Sequence, residues 1–358
     1  MENNILIYYS IFNIGGAERS TLKLISKLLD KGFKVEVLLI TNGGVFQNEI
    51  DARAKVSWLR SGDFGNKYAE SKGVKKAFYL FLYAITRLEA FFKGIFYRFK
   101  RYKAVIIGLH GLSPWFCLKN IKADTYIQFI RSDLKNCDQN HKAQNQIKKH
   151  GHLVDYYACV SQTALDSFSE LFPTLKHKGK KIYNLLQADV ILEKSKKEVD
   201  NFFLSQKSTN ILTVCRIQEK SKGVFRMAKV LKELLRLGYN INWYVIGDGI
   251  DSIAFKNNLV DLKLQDRMFL LGAKSNPYPY FKEVDLVAVL SYYEGLCGVV
   301  NEAKILERPL IATEFSGVRE QITEGVNGFI FENSYEAIVQ GMVKVLDNPT
   351  KLNKVSAF

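Results

Sequence analysis

Cysteines, metal-binding patterns and secretory features are all scarce in this chain of 358 residues. Its five cysteines are scattered, with no pair at the spacing of metal ligands, so the sequence predicts free thiols in a reducing compartment instead of a disulfide framework. It has no Asp-x-Asp sequence and no cluster of His, Cys, Asp and Glu at ligand spacing, which predicts that no metal cofactor is required. The first residues lead almost directly into an apolar strand pattern, without the basic and apolar regions of a secretory signal. These absences favour a cytoplasmic protein.

Positive charge, in contrast, is abundant and unevenly placed. The formal net charge is +15. Residues 1–185 contain 29 Lys and Arg against 15 Asp and Glu, whereas residues 186–358 contain 22 against 21. The excess in the first half predicts an anionic partner, either a membrane surface or a nucleic acid.

The apolar patterns alternate between strand and helix, which predicts an α/β protein. Near the N-terminus, a strand at 5–10, a glycine-containing loop and a helix at 17–31 lead to a strand at 35–40. This is a βαβ unit, which implies a parallel sheet. Later strands are predicted at 104–109, 125–130 and 155–160. Ser161 is predicted to cap a helix that runs to Phe172 and ends before Pro173.

The alternation lapses between residues 183 and 210 and then begins again, which predicts a second domain. Its strands are predicted at 211–216, 242–247, 268–271, 284–290, 310–313 and 328–331, and its helices at 224–237, from 298, and at 335–346. Because the chain is long enough for two cores, we expect two doubly wound domains, residues 1–188 and 189–358.

A strand, a turn and a helix are predicted around residues 291–303, which read S-Y-Y-E-G-L-C-G-V-V-N-E-A. The start of such a helix presents free backbone N–H groups and the positive end of the helix dipole, which suit a phosphate. Glu294 lies on the turn, and Glu302 lies about one turn inside the helix, where a carboxylate can bond a hydroxylated group such as ribose. Alone, two glutamates at this spacing more often mark a solvated junction, so the interpretation depends on the other loops.

Ligands of open parallel sheets lie beyond the carboxyl ends of the strands, so two such domains facing each other would line a cleft with their βα loops. Arg216 and Lys222 flank one of these loops, where two cations could neutralise a diphosphate. Ordinary surface charge explains each of them equally well, as an ordinary tight turn explains Gly15 and Gly16 after the first strand. The remaining loops of the second domain, 247–249 and 272–276, contain Gly247 and Lys274.

Together these loops resemble the family 4 retaining glycosyltransferases, which have the GT-B fold of two Rossmann-like domains facing a cleft and build bacterial surface polysaccharides such as lipopolysaccharide and capsule. The resemblance spans most of the chain and is sharp over residues 211–331. It rests on G-G-A-E-R near the N-terminus, V-C-R-I-Q-E-K-S-K-G, V-I-G-D-G, E-G-L-C-G-V-V-N-E-A, and R-P-L-I-A-T followed by G-V-R-E and G-V-N-G-F-I.

The resemblance implies a role for each matching residue. Glu302 would hold the ribose hydroxyls of a sugar nucleotide, and Glu294 would bond the donor sugar as a catalytic residue beside Arg216 and Lys222, which would face the diphosphate. The other donor-binding residues would be Gly15, Gly16, Gly247, Lys274, Gly298 and Val299. Since the departing diphosphate gains charge, fixed cations and N–H dipoles would stabilise it. In such enzymes the phosphate itself takes the proton of the acceptor, so little general-base machinery is required.

The chain departs from the family pattern at three places. Arg131 stands where many relatives have a histidine after a strand of the first domain, and His110 could line the acceptor side instead, although a lone histidine is more often structural. Cys215 replaces a glycine. Relatives usually continue into a helix that packs back on the first domain, whereas this chain ends at Phe358, so we expect a truncated chain or a weakened contact between domains.

The segment 72–103 of the first domain has nine Lys and Arg, one acid and many aromatics. Apolar residues recur at three- and four-residue steps, which predicts an amphipathic helix or a helix pair. These residues are Phe78, Phe81, Leu82, Ile85, Leu88, Phe92, Ile95 and Phe99. The uninterrupted apolar part, 77–86, is too short for the about 20 residues that span a bilayer. It favours a helix lying on an anionic membrane surface, with a core-packing helix as the alternative.

The sequence therefore predicts a cytoplasmic glycosyltransferase at the inner face of the membrane. It would transfer a sugar with retention from a nucleoside diphosphate donor to a lipid-linked glycan, and the family resemblance implies that the donor is a UDP-sugar. One alternative is a GT-B-like sugar-nucleotide epimerase, for which no acid–base pair is apparent. The other is a basic binding module for nucleic acid, which lacks a recognisable motif and leaves the second-domain loops unexplained.

Overall fold

The computed structural model describes residues 3–13, 15–62, 64–137, 141–199 and 208–348. The chain divides into two compact units, Met1–Leu186 and Gln187–Phe358. Each unit is built on one parallel sheet with helices between the strands. The predicted pair of doubly wound α/β units is confirmed.

The sheet of the first unit has seven strands in the order β3-β2-β1-β4-β5-β6-β7. The strands are β1 (Asn4–Tyr9), β2 (Lys34–Thr41), β3 (Lys55–Arg60), β4 (Arg101–Ile107), β5 (Lys122–Ile130), β6 (Tyr156–Cys159) and β7 (Gly179–Lys181). The helices are α1 (Gly16–Asp30), α2 (Phe64–Glu70), α3 (Gly73–Tyr97), α4 (Trp115–Asn120), α5 (Leu134–Cys137), α6 (Lys142–His150) and α7 (Gln162–Leu171). The order reverses between β1 and β4, so the loops that follow these two strands lie side by side at the carboxyl edge.

Two strands of this sheet, β3 and β7, are absent from the sequence prediction. The β7 sequence, Gly-Lys-Lys, has no apolar pattern, and its strand geometry comes from pairing with β6, where Cys159 faces Lys181. The predicted cap of α7 is confirmed, because the Ser161 hydroxyl accepts a hydrogen bond from the Ala164 N–H at 3.1 Å.

The basic segment forms one continuous helix, α3, instead of a helix pair. Its carboxyl-terminal half is tied to the sheet: the Tyr97 hydroxyl donates to Glu36 at 2.7 Å, and Lys93 Nζ donates to the Trp58 carbonyl at 2.7 Å. Its buried residues are Thr86, Gly94 and Tyr97. Most of the predicted apolar face is instead exposed, so the core-packing alternative is wrong for that face.

The sheet of the second unit has six strands in the order β10-β9-β8-β11-β12-β13. The strands are β8 (Thr209–Val214), β9 (Ile241–Ile246), β10 (Met268–Leu270), β11 (Leu286–Val289), β12 (Leu310–Thr313) and β13 (Phe329–Phe331). The helices are α8 (Ala188–Lys194), α9 (Glu219–Lys222), α10 (Val224–Arg236), α11 (Ser252–Asp261), α12 (Tyr278–Lys282), α13 (Gly298–Ile305) and α14 (Tyr335–Leu346). Helix α8 lies within the predicted lapse, which is therefore not wholly irregular.

The strand order of the second unit reverses between β8 and β11, which pair in parallel with Val287 opposite Leu212. Apolar clusters cover both faces of the sheet, and Trp243 of β9 is fully buried in one of them. The loop after β8 and the loop after β11 therefore meet at the topological switch point, the place where open α/β sheets bind ligands.

Candidate functional site

The turn that follows β11 carries Glu294 and meets the end of α9. Glu294 Oε1 accepts hydrogen bonds from the Ser291 hydroxyl at 2.8 Å and from the Lys222 ammonium. Lys222 and Glu294 keep 20% and 14% of their side-chain surface exposed. The structure thus brings together two predicted residues that are 72 positions apart, at the edge where a ligand can reach both.

Electrostatics keep Lys222 positively charged at neutral pH. Burial alone would lower the pKa of its ammonium group, but the adjacent Glu294 carboxylate outweighs this effect and the pKa is raised. Two nearby thiols are uncharged at neutral pH, because burial raises the pKa of the Cys297 thiol and raises that of the Cys215 thiol to about 12. The site therefore has one firmly held ion pair and no thiolate nucleophile among these groups.

Helix α13 begins where this turn ends. The backbone of Cys297 is fixed by Gln321, whose Oε1 accepts from the Cys297 N–H at 2.9 Å and whose Nε2 donates to the Cys297 carbonyl at 2.8 Å. A Cβ atom built on Gly298 would have no neighbour within 4 Å, so a ligand can approach this first helical residue closely. Val299, the next residue, is half-buried. Gln321 is a functional candidate that the sequence prediction missed.

Glu302 lies one turn inside α13 and is buried. The hydroxyl of Tyr278, at the start of α12, donates to Glu302 Oε1 at 3.2 Å. This contact orients a carboxylate that has little access to water. Tyr278 was not predicted as a site residue, because the sequence pattern does not show that the side chains of residues 278 and 302 are in contact.

The other predicted site residues of the second unit, Arg216, Lys274 and Gly247, differ in their surroundings. Arg216 is exposed, just beyond the end of β8, and the Lys274 ammonium lies 5.8 Å from the centre of the Tyr280 ring. Gly247 has a positive φ of 150°, and a Cβ atom there would lie 1.7 Å from the Cys215 carbonyl oxygen. Packing of two strand ends therefore already requires a glycine at position 247, whether or not a ligand binds there.

In the first unit, Gly15 and Gly16 form the start of α1. The Gly15 carbonyl accepts from the Arg19 N–H at 3.0 Å, and a Cβ atom on Gly16 would meet nothing within 4 Å. The loop residue Ile14, between the predicted strand and these glycines, lies outside the described residues. The geometry at Gly16 leaves room for close approach of a ligand.

The two acceptor-side candidates, His110 and Arg131, lie together at the β4 and β5 ends. His110 Nδ1 accepts from the Arg131 backbone N–H at 3.2 Å. The Arg131 guanidinium is buried and donates to the Gly108 carbonyl at 3.0 Å, and its other hydrogen bonds at 2.8–3.1 Å go to Ser20, Thr21 and Asn184. Burial lowers its pKa to about 10, so it remains charged. Through these contacts Arg131 links α1 to the sheet, a structural role that is independent of any contact with an acceptor.

The described part of the chain lacks two features. No three His, Cys, Asp or Glu side chains there are placed to hold a metal ion together. No helix there is both long and apolar enough to cross a membrane.

Known proteins share parts of this chain. Residues 194–357 match the family model described as glycosyl transferases group 1. The N-acetylgalactosamine-N,N'-diacetylbacillosaminyl-diphospho-undecaprenol 4-alpha-N-acetylgalactosaminyltransferase of Campylobacter jejuni is 25% identical over 196 residues, which are 54% of this chain and 51% of the relative. The capsular polysaccharide biosynthesis glycosyltransferase CapM of Staphylococcus aureus is 25% identical over 131 residues, 36% of this chain and 34% of the relative. The chain thus spans about a third to a half of the length of these two relatives.

The fold has counterparts over the whole chain. The crystal structure of HepE from Anabaena in complex with UDP-glucose superposes with a TM-score of 0.73 and 15% identity, covering 99% of this chain and 92% of that one. At this identity the likeness establishes the fold alone. With its two doubly wound units the chain has the GT-B fold, and residues 194–357, within the second unit, match the family model of the group 1 glycosyl transferases.

Proposed function

We propose that this chain is a family 4 retaining glycosyltransferase that moves a sugar from a UDP-sugar to a lipid-linked glycan during surface polysaccharide synthesis. The observation that carries the proposal is the Lys222–Glu294 pair at the switch point, with Glu302 buried one turn inside the adjoining helix. Two relatives support the substrate classes: the Campylobacter jejuni enzyme is named for a diphospho-undecaprenol acceptor, and HepE binds UDP-glucose.

The donor would lie across the start of α13. Glu302 would accept hydrogen bonds from the ribose hydroxyls, and the first backbone N–H groups of α13 would face the diphosphate. Glu294 would accept a hydrogen bond from the sugar. The diphosphate of the bound donor would interact with the Lys222 ammonium beside Glu294. This cation would stabilise the negative charge that develops on the diphosphate as its bond to the sugar breaks.

Metal independence and retention belong to the same proposal. Lys222 and Arg216 would supply the positive charge that a divalent ion supplies in other transferases. The leaving phosphate would take the proton of the acceptor hydroxyl, which then attacks on the face that the phosphate leaves. The role of the protein would be to position the donor and stabilise charge, in keeping with the neutral thiols beside the pair.

Binding of nucleotides by the purified chain tests the donor assignment. UDP, GDP and ADP, and then UDP-sugars, are titrated in a calorimeter at neutral pH. We expect UDP to bind and a UDP-sugar to bind more tightly, because Glu294 adds a contact to the sugar. Binding of none of these nucleotides by the folded protein would refute the donor assignment.

The outer face of α3 supports a membrane location for the acceptor. Large apolar side chains along it are well exposed, including Phe81 at 62%, Phe92 at 65% and Phe96 at 60%. Lys72, Lys75 and Lys76 are exposed at its amino-terminal end. Each cation near an anionic surface contributes about 1 kcal/mol, and inserting a half-exposed aromatic ring adds about 1 kcal/mol. We propose that this face docks on the anionic inner leaflet.

Three basic residues at the carboxyl-terminal end of segment 72–103 make contacts within the first unit. Lys100 forms an ion pair with Glu36 at 3.1 Å, and Arg101 forms one with Asp124 at 2.6 Å. Arg98 Nε donates to the Asn120 side chain at 3.1 Å. Reversing these charges would disturb the fold, so the test uses the three lysines at the other end of the helix.

Sedimentation with liposomes tests the membrane proposal. The wild type should sediment with anionic vesicles at low salt and progressively less as salt rises. Changing Lys72, Lys75 and Lys76 to Glu should abolish sedimentation, as should Phe81→Ser with Phe92→Ser. The matched control changes three exposed lysines of the second unit, Lys229, Lys232 and Lys256, to Glu. A wild type that ignores anionic vesicles at low salt would refute membrane docking and favour a soluble acceptor.

A further inference from the structure

The turn that carries Glu294 is held through its backbone carbonyl groups. The Leu290 carbonyl accepts from Arg226 Nη2 at 2.7 Å. The Ser291 carbonyl accepts from the Thr313 hydroxyl at 2.6 Å and from Asn333 Nδ2 at 3.2 Å. Asn333 Nδ2 also lies 3.3 Å from the Tyr292 carbonyl oxygen. Three consecutive carbonyls are thus bonded to side chains from α10, from β12 and from the loop before α14.

Arg226 is the centre of this arrangement. It is a buried residue of α10, and its Nη1 donates to Asn333 Oδ1 at 2.7 Å. Its guanidinium carbon lies 3.9 Å from the centre of the Tyr292 ring. Only a planar guanidinium can donate in two directions while stacking on an aromatic face, so a lysine could not replace it. We call Arg226 and Asn333 the turn clamp.

The turn clamp also reaches the loop of Lys222. The N–H of Tyr292 donates to the Ser221 carbonyl at 2.8 Å. Gly223, with a φ of 64°, follows Lys222, and a Cβ atom there would lie 3.2 Å from the Tyr292 ring and 3.3 Å from Arg226 Nε. The absence of a side chain at Gly223 therefore lets the two loops and the guanidinium approach each other.

We propose that Arg226 and Asn333 are positioning residues that set where Glu294 meets the sugar of the donor. They would govern recognition and transfer of the sugar and leave the nucleoside end to Glu302, which is held separately by Tyr278 on α12. This inference rests on the proposed function, in which Glu294 contacts the donor sugar. Neither residue touches Glu294 by a hydrogen bond in the contacts described above; both act through the backbone of its turn.

The test compares UDP with a UDP-sugar in wild type, Arg226→Lys and Asn333→Ala. The probes are UDP, UDP-glucose and UDP-N-acetylglucosamine, titrated by calorimetry, and the better-bound sugar nucleotide is also used to measure kcat and KM for donor hydrolysis. Arg236→Lys is the matched control, since Arg236 ends the same helix and pairs with Glu233 on the surface.

In both clamp variants we expect affinity for UDP within about twofold of wild type. The additional affinity for the UDP-sugar should fall at least tenfold, and kcat should fall more than KM rises. An unchanged ratio of UDP-sugar to UDP affinity, with unchanged kcat, would overturn the inference. Equal loss of UDP and UDP-sugar binding in Asn333→Ala, which leaves Arg226 in place, would also overturn it and show a purely structural role. A wild type that binds none of the probes would instead refute the proposed function.

Discussion

Removing either partner of the Lys222–Glu294 pair should destabilise the second unit. Lys222→Met leaves the Ser291 hydroxyl as the remaining described partner of Glu294, whose side chain is 14% exposed in the wild type. Glu294→Gln leaves the charge of Lys222, whose side chain is 20% exposed in the wild type, without its carboxylate. Loss of one partner of a buried pair costs about 3–5 kcal/mol. Because both groups keep some contact with water, we expect about 2–3 kcal/mol for each single variant.

The double variant measures the interaction energy between Lys222 and Glu294 apart from the contributions of the two single substitutions. Lys222→Met with Glu294→Gln removes both charges, so its cost should be smaller than the sum of the single costs by about 1–3 kcal/mol. Urea unfolding measures these free energies. In a Trp58→Phe, Trp115→Phe background, fluorescence of Trp243 reports the second unit alone, because Trp243 is buried in that sheet.

A surface pair of the same unit is the control. Glu193 and Lys196 are 2.7 Å apart but are 73% and 66% exposed. Their double-mutant cycle should show no measurable coupling, because solvent screens such pairs. Additive effects of the Lys222 and Glu294 substitutions would refute the claim that the two groups stabilise each other.

The pH dependence of this pair has a definite sign. The pKa of Lys222 is raised in the folded protein, so its contribution is fully present below the unfolded value of about 10.4 and is lost as the pH rises past the folded value. The stability difference between wild type and Lys222→Met should therefore stay level from neutral pH to about pH 9. A difference that fades by pH 8 would contradict the raised pKa.

Three other predictions follow from single features. Glu302→Ala should weaken UDP binding by about 1.5–3 kcal/mol in calorimetry, the range for charge-assisted hydrogen bonds, with an unchanged circular dichroism spectrum; unchanged affinity would refute its role toward ribose. Sugar transfer should continue in excess chelator, and activity that is lost there and restored by magnesium or manganese would contradict the metal-independent phosphate site. Gly247→Ala should lower the free energy of unfolding by about 3 kcal/mol or more, because its Cβ would lie 1.7 Å from the Cys215 carbonyl oxygen at a φ of 150°. Gly298→Ala should change this free energy little, and equal effects in urea unfolding would show the packing argument to be wrong.

The sequence alone was sufficient for the fold class and for many elements. The strand Leu310–Thr313 and the helix Tyr335–Leu346 have the predicted bounds, because apolar periodicity and capping are local properties of the chain. It also placed α13 at Gly298, with Glu294 on the turn before it and Glu302 inside it. Spacing along a helix determines such relations without any tertiary information.

Relations between distant positions were decided by the tertiary structure. The strand order puts the loops after β8 and β11 side by side, and only this contact pairs Lys222 with Glu294 and places Arg226 beneath Tyr292. The pattern of α3 predicted an apolar face and favoured a membrane surface over the core as its partner. Only the tertiary structure shows that this face is exposed, because periodicity shows which residues share a face and not what covers it. Likewise, the need for glycine at position 247 arises from the Cys215 backbone 32 residues earlier, which no local pattern can reveal.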